Sequence, residues 1–224
     1  MYKIVFLSDF HIKNDKDFTQ GIQTLTHALQ QNPDHLILGG DLTDLPDPCR
    51  LRQLADFFTR QGVFHENTLT VVPGNHDVFP ISKRPPWIKF GVPALYRRAF
   101  QRLFEPVLHN QEKRLTPRIA LVALDSTSKN THPTRWASGE LSSAQLDKTA
   151  KFLLAQKGSV HRIIVLHHRP WRVLQRAENS RFPMGMSTPS AEDTMNQLQR
   201  GRPTLILAGH YHTFEDQEIG RAHV

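Results

Sequence analysis

The 224-residue sequence holds one cysteine, Cys49. That excludes an intramolecular disulfide and any Cys-rich zinc site, and it places the chain by expectation in a reducing, cytoplasmic compartment. No apolar run approaches the roughly 20 residues needed to cross a bilayer. Apolar runs such as Ile4-Val5-Phe6-Leu7 span only a few residues. An apolar signal-peptide core is also missing, because Asp9, His11 and Lys13 interrupt the N-terminal apolar stretch, so no leader is expected. Internal repeats and low-complexity tracts are absent too, which removes solenoid and tail-like readings.

What remains is ordinary globular composition, 38% hydrophobic and 22% charged, expected to form a single domain over residues 1–224. The net charge of +7 invites a nucleic-acid or anionic-surface hypothesis, but its position narrows it. Between Ile81 and Arg118 stand nine basic residues and two acidic ones, and elsewhere the charges balance at nineteen each. The excess therefore belongs to one segment. Because about 79–117 lacks clear alternation, it reads as a basic insertion or lid. Within it Leu95, Ala99, Phe100, Leu103, Phe104 and Val107 recur at helical spacing, with Arg97, Arg98 and Arg102 interspersed. A helix packed on a sheet explains this pattern. A phosphate-gathering lid, a membrane-surface contact and a nucleic-acid contact are the functional alternatives.

Short β-branched runs alternate with helix-period runs, which predicts an α/β or mixed fold. Strands are expected at Lys3–Leu7, His35–Leu38, Leu69–Val72, Arg118–Leu124, Arg162–Leu166 and Thr204–Leu207. One helix is expected over about Phe18–Gln31. A second opens with Asp47 as N-cap and Pro48 as first residue, and a third with the capping-box pair Ser142 and Gln145. The chemistry follows the strands. The first is followed by Asp9-Phe10-His11, the second by Gly40-Asp41-Leu42-Thr43-Asp44, and the third by Gly74-Asn75-His76-Asp77. The penultimate ends in His167-His168 and the last in Gly209-His210-Tyr211-His212. Ligands of open α/β sheets sit beyond the carboxyl ends of the strands, so five sets of metal-type side chains would converge on one edge. Carboxylate, imidazole and amide oxygen suit borderline divalent ions, whereas calcium would want more carboxylates. A single Asp-x-His or a strand-end His is more often structural; five such blocks in order are not.

These five blocks resemble the calcineurin-like metallophosphoesterase family, whose pattern is D-x-H, G-D-x-x-D, G-N-H-[DE], a lone His, then G-H-x-H. The resemblance implies a four-layer α/β/β/α sandwich of two mixed sheets flanked by helices, with a dinuclear metal site at the strand C-terminal ends. By matching position it implies one divalent ion on Asp9, His11, Asp41 and His212, and a second on Asp41, Asn75, His167 and His210, the pair being Mn, Fe or Zn. It also implies His76 as a catalytic group near the phosphoryl, paired with Asp44. Two cations can share a hydroxide and clamp both oxygens of an in-line displacement at phosphorus. With only two carboxylates against two dications the centre stays formally positive, suited to a small anionic phosphoester.

Leu124-Asp125-Ser126-Thr127, Gly139-Glu140-Leu141 with Gln145-Leu146, and Leu166-His167-His168 resemble the class III cyclic-nucleotide phosphodiesterase branch, which carries Pro where Arg169 stands here. The expected activity is thus hydrolysis of cyclic nucleotides or similar small phosphodiesters. The alternatives are a pyrophosphohydrolase or phosphatase on lipid-linked or nucleotide-sugar substrates, a nuclease, or a non-catalytic scaffold. His168, Arg169 and Trp171 are the candidate substrate contacts, and Asp125 is expected to tie a strand end to a loop. Only 12 residues follow His212, fewer than relatives carry: the expectation is a minimal protein, a shortened chain or a partner over the exposed sheet edge, and an uncovered edge would favour a homo-oligomer.

Overall fold

A computed structural model describes residues 1–80, 92–108, 111–127, 137–158, 161–170, 185–188, 191–210 and 212. The chain begins β1 (Ile4–Leu7), α1 (Asp15–Gln30), β2 (His35–Leu38), α2 (Pro48–Arg60) and β3 (Leu69–Val71). Short α3 (Asn75–Val78), α4 (Val92–Leu103) and α5 (Glu105–Leu108) follow. The second half runs β4 (Glu112–Thr116), β5 (Ile119–Ala123), β6 (Ser138–Glu140), α6 (Ser143–Ala155), β7 (His161–Leu166), β8 (Gly185–Thr188), α7 (Ala191–Gln199) and β9 (Leu205–Ala208).

Two main sheets result. One has the order β1-β2-β3 and is parallel throughout its described strands. The other has the order β4-β5-β7-β9, in which only β4 is antiparallel. The expected pair of sheets flanked by helices is present, and among the described strands the antiparallel member lies in the second sheet. Every link in the first is a β–helix–β crossover, which forces parallel neighbours. A small parallel pair, β6-β8, stands beside them.

The two-residue period of each strand builds the layers. Val5, Leu7, Leu36 and Leu38 pack with Leu25, Leu51, Leu54, Phe58, Phe100 and Phe104 in a helix-facing core. Their alternates Ile4, Phe6 and Ile37 meet Leu121, Ala123, Ile163, Val165 and Leu207 in a core between the sheets. On the far side Ala120, Val122, Ile164, Leu166 and Ile206 pack against Leu146, Leu153 and Leu198 of α6 and α7. Helix–sheet, sheet–sheet and sheet–helix interfaces in that order are the four layers, held by strands buried on both faces.

Helix ends are largely those the sequence marks. Asp47 accepts from the Cys49 and Arg50 amides at 3.0 and 3.1 Å, and Ser142 and Gln145 form a reciprocal capping box. Helix α1 begins three residues before the expected Phe18, because Asn14 caps it by accepting from Asp17 N at 3.0 Å. The basic segment is partly interior. From Val92 onward it is α4, α5 and the edge strand β4, with Phe100, Phe104 and Val107 buried in the first core. Leu95, expected on the packed side, is 62% exposed and shares the outer face with Arg98 and Arg102. Arg97 reaches across to Thr127, donating to its hydroxyl at 2.7 Å. Residues 81–91, which include Trp87, lie outside the described residues.

One buried pair of basic groups sets a pH dependence. His35 is fully buried, with Nδ1 2.9 Å from the Asn67 carbonyl oxygen and Nε2 2.8 Å from Thr70 Oγ1. Burial, with nearby Lys113, depresses its pKa to about 4 despite the Asn67 contact. The folded state thus binds fewer protons than the unfolded chain between pH 6.5 and 4. The stability from this neutral imidazole is complete above pH 6.5 and is lost as pH falls through that window, by roughly 3 kcal/mol. Denaturant unfolding at pH 7 and pH 4.5 should show that loss in the wild type and a smaller one in His35→Asn; equal losses would refute the assignment.

Candidate metal centre

All five sequence blocks lie at the ends of β1, β2, β3, β7 and β9, where the two sheets meet. Adjacent strand ends bring them together through main-chain bonds: Asp9 N donates to Gly40 O and His11 N to Asp41 O, each at 3.0 Å, and Gly209 N to His167 O at 3.0 Å. The convergence of these side chains comes with backbone strain. Seven described non-glycine residues have positive φ, and five of them are Asp9 (61°), His11 (46°), Asp41 (51°), His210 (79°) and His212 (53°). Such conformations cost of order 1 kcal/mol or more each and persist where surrounding structure over-determines them. No sequence signal marks them.

Around one point stand His11 Nε2 and His212 Nε2, 2.9 Å apart. Asp9 Oδ1 lies 3.9 Å from the first and 3.6 Å from the second, and Asp41 Oδ2 lies 3.6 Å from His11. Around a second point stand His167 Nε2, 3.1 Å from the same Asp41 Oδ2, and His210 Nδ1, 3.3 Å from His167. Asp41 is therefore the shared member between two clusters of nitrogen donors. Asn75 is fully buried beside it, and both its amide atoms lack a hydrogen-bond partner. A buried amide without partners is rare in a folded protein and marks the place of a missing ligand. The donor set of two carboxylates, four imidazoles and one amide fits a pair of borderline divalent ions.

Secondary contacts orient these donors. His167 Nδ1 is 2.8 Å from the Gly39 carbonyl oxygen, leaving Nε2 for the centre. Asp9 accepts from the His210 amide at 3.0 and 3.2 Å, and Asp41 Oδ1 from the His76 amide at 2.8 Å. Asp77, which the sequence reading left without a role, is the clamp between two blocks: it accepts from Thr43 N and Oγ1 at 3.0 and 3.1 Å and from Gly74 N at 2.9 Å. The only signal for it was its place as fourth residue of Gly-Asn-His-Asp.

The charges are arranged for ion capture. Burial alone would raise the Asp41 carboxyl, but His167, His76 and His11 more than offset it and hold it well below the usual carboxylate range. His167 is the counterpart. Burial disfavours its charge, yet Asp41, beside it, lifts it to about 9, so the metal-free protein carries a proton there that an ion must displace. Burial keeps His210 neutral, with its pKa pushed down to about 3, and lowers His11 and His168 as well.

His76 lies half-buried at the mouth of this centre, its ring edge-on to His11 at 4.6 Å between centroids. Its Nδ1 is 2.7 Å from the Asp44 main-chain oxygen. The expected pairing with Asp44 is thus made by the carbonyl, while the Asp44 carboxylate lies 3.5 Å from both His11 Nδ1 and Lys13 Nζ. The reason is local: the Asp41–Asp44 turn delivers main chain, not side chain, to His76. Of the three candidate substrate contacts, His168 is fully buried and Arg169 is 4% exposed, so neither forms part of the open wall. Trp171 lies outside the described residues.

The blocks that resemble the cyclic-nucleotide branch meet as a structural lock. Glu140 N donates to Ser126 O at 2.9 Å, Thr127 bridges Gly139, and Gln145 Nε2 donates to Asp125 O at 3.2 Å. Asp125 Oδ1 accepts from the Thr127 amide at 2.9 Å and from its hydroxyl, and Oδ2 lies 3.7 Å from Arg97 Nε. These residues join the β5 end to β6 and α6.

Two clusters of donors around a shared carboxylate at parallel strand ends, one buried and one reaching the surface, fit a dinuclear metal-dependent hydrolase site. The calcineurin-like phosphoesterase family model matches residues 2–214, and the chain belongs to that family. It is therefore a dinuclear metal-dependent phosphoesterase. Its fold is similar to that of a dimetal phosphatase from Danio rerio, with a TM-score of 0.61 at 13% identity over 94% of this chain and 82% of that one. No curated protein matches in sequence. Among the described residues no helix is long and apolar enough to cross a membrane.

Proposed function

We propose that the protein hydrolyses small phosphodiesters, cyclic nucleotides among them, at the centre formed by Asp9, His11, Asp41, Asn75, His167, His210 and His212, with manganese, iron or zinc as the ions. Bound ions would supply Lewis acidity and water of lowered pKa. The chain's own residues do the rest. Asp41 orders the two clusters about one point, and Asp44 steadies His11 through its carboxylate and His76 through its carbonyl. His76, at the open side, stabilises phosphoryl charge or hands a proton to the leaving oxygen.

The observation that carries the small-substrate reading is the compact donor set about Asp41, whose Oδ2 lies 3.1 Å from His167 and 3.6 Å from His11, a centre suited to one phosphoryl group. A groove of about 550 Å³ along α1 meets that centre at Asp9 and His11. A second reading, a pyrophosphohydrolase or phosphatase on lipid-linked or nucleotide-sugar substrates, is favoured by Leu95, Arg98 and Arg102 on the outer face of α4. Cytoplasmic placement and a homo-oligomer complete the proposal.

A panel decides. With Mn²⁺ added, bis-(p-nitrophenyl) phosphate and cyclic nucleotides should turn over, with nucleotide-sugar and lipid pyrophosphates and single-stranded DNA far slower. The opposite ranking would overturn the diester reading. His76→Ala should keep both ions by elemental analysis while kcat falls about 10²–10³-fold. Loss of an ion on that change would make His76 a ligand instead.

A further inference from the structure

Asp44 holds two groups of the centre at once, with its carboxylate 3.5 Å from His11 Nδ1 and its main-chain oxygen 2.7 Å from His76 Nδ1. Two exposed side chains that the centre does not use stand beside it. The Lys13 side chain is 60% exposed, with Nζ 3.5 Å from Asp44 Oδ1. Leu45, the next residue in the chain, is 48% exposed. Of the five large apolar side chains exposed among the described residues, only Leu45 directly follows a ligand-bearing block.

A single surface leucine needs no explanation by itself. This one is held in place. Thr43 N and Oγ1 donate to the buried Asp77 carboxylate, and Asp44 N donates to Ile12 O at 3.2 Å. Two residues beyond Leu45, Asp47 caps α2 through the Cys49 and Arg50 amides. The main chain is thus pinned on both sides of Leu45, so a ligand that covers its side chain loses little to ordering the loop. Lys13 is fixed at its base in the same way, its amide donating to Asp17 Oδ2 at 3.2 Å. A cation and an apolar surface therefore flank the residue whose carbonyl holds His76, the group set toward the phosphoryl and its leaving oxygen. The apolar surface is short, because Asp44 and Asp47 bracket it, and it suits a ring rather than an acyl chain. We propose that Lys13 and Leu45 determine specificity at this centre: Lys13 draws in the anionic phosphoryl end, and Leu45 covers a compact ring on the leaving group, an aryl group or a nucleobase. The substrate class narrows to phosphoesters of ring-bearing alcohols, against those of glycerol-like polyols.

The inference rests on the proposed hydrolysis with His76 at the open side, and its test separates the two. Metal-loaded enzyme is given methyl phosphodiesters that differ in the second ester group, p-nitrophenyl or glyceryl. One buried methylene is worth about fourfold in affinity. Leu45→Ser should therefore raise KM for the aryl ester about 4–15-fold with little change in kcat, and raise KM for the glyceryl ester less than about twofold. Leu45→Phe should lower the aryl KM. Lys13→Gln should lower kcat/KM for both esters alike, several-fold at low salt and far less at high salt. All three variants should keep two ions by elemental analysis. A methyl thymidylyl ester distinguishes the two ring sources: a response like that of the aryl ester identifies a nucleobase, and one like that of the glyceryl ester a ring borne directly on the leaving oxygen. An unaltered aryl KM in Leu45→Ser, an equal rise for both esters, or loss of an ion overturns the inference. Failure of the diester reading looks different: wild type then cleaves neither diester, and the same comparison of Leu45→Ser with wild type is decided on phenyl and glycerol phosphate.

Discussion

Asp41→Asn is expected to abolish hydrolysis, with kcat reduced at least about 10³-fold, and to empty both metal sites together rather than one. Asp41 Oδ2 stands 3.1 Å from His167 and 3.6 Å from His11, so one carboxylate serves both clusters. An amide of the same shape keeps the packing but carries no charge to offset a second dication. The fold should survive. Asp41 raises Asp77, the buried clamp whose pKa burial first, and Asp41 next, push up to about 6, so removing the charge relieves that repulsion. The lost partner of His167 works the other way: without Asp41 the buried imidazole gives up its proton instead of staying charged. Elemental analysis should therefore find no ion in a protein whose circular dichroism is that of the wild type. A second readout follows from His167, at about 9 in the metal-free protein. Below that value ion and proton compete, so wild type should release about one proton per centre filled at pH 7, and its apparent affinity should fall with decreasing pH. Retention of one ion at full affinity by Asp41→Asn would show that the carboxylate is not shared.

Gly74→Ala should do comparable damage with a single methyl group. A Cβ at Gly74 would overlap the Asp41 carboxylate and the Asp41 main-chain nitrogen. Backbone cannot swing aside as a side-chain tip can, so the second and third blocks must separate. The Gly74 N–H bond to Asp77 at 2.9 Å and the His76 N–H bond to Asp41 at 2.8 Å would be strained or broken with them. The expected cost is on the order of 3 kcal/mol, seen as a lower denaturant midpoint, together with loss of both ions. Gly62 is the control. It lies in open space but has a φ of 70°, so alanine there should cost some stability and leave metal content unchanged. Full metal content in Gly74→Ala would mean that the close approach is not needed.

The main strands were legible because short β-branched runs are a local property, whereas the layers were expected from the family resemblance and are explained by the strand periodicity. Leu36 and Leu38 face one core and Ile37 the other, and the same two-residue period sorts β5 and β7. The strands that escaped were β4, β6 and β8, and they escaped for physical reasons. Glu112–Thr116 is an edge strand of mixed polarity whose Lys113 is buried because Nζ reaches the Glu66 carbonyl at 2.8 Å. Ser138–Glu140 is three residues long and is held by the loop after β5. Neither carries an apolar period. Helix α7 escaped because its residues 191–199 are mostly polar.

Residue types in order along the chain determined the family, the ligand chemistry and the positive sign of the centre, since those depend on which donors are present and on their place after each strand. Tertiary structure alone decided how the donors are aimed. It put five of the candidate ligands at positive φ and turned the Asp44 carbonyl, rather than its carboxylate, onto His76. It buried His168 and Arg169, and joined the Asp125-Ser126-Thr127 block to Gly139, Glu140 and Gln145 as a lock between strand ends. The reason is one of range. Donor identity is written residue by residue, whereas direction is set by contacts such as His11 with His212, 201 positions apart, that exist only once both sheets have closed on each other.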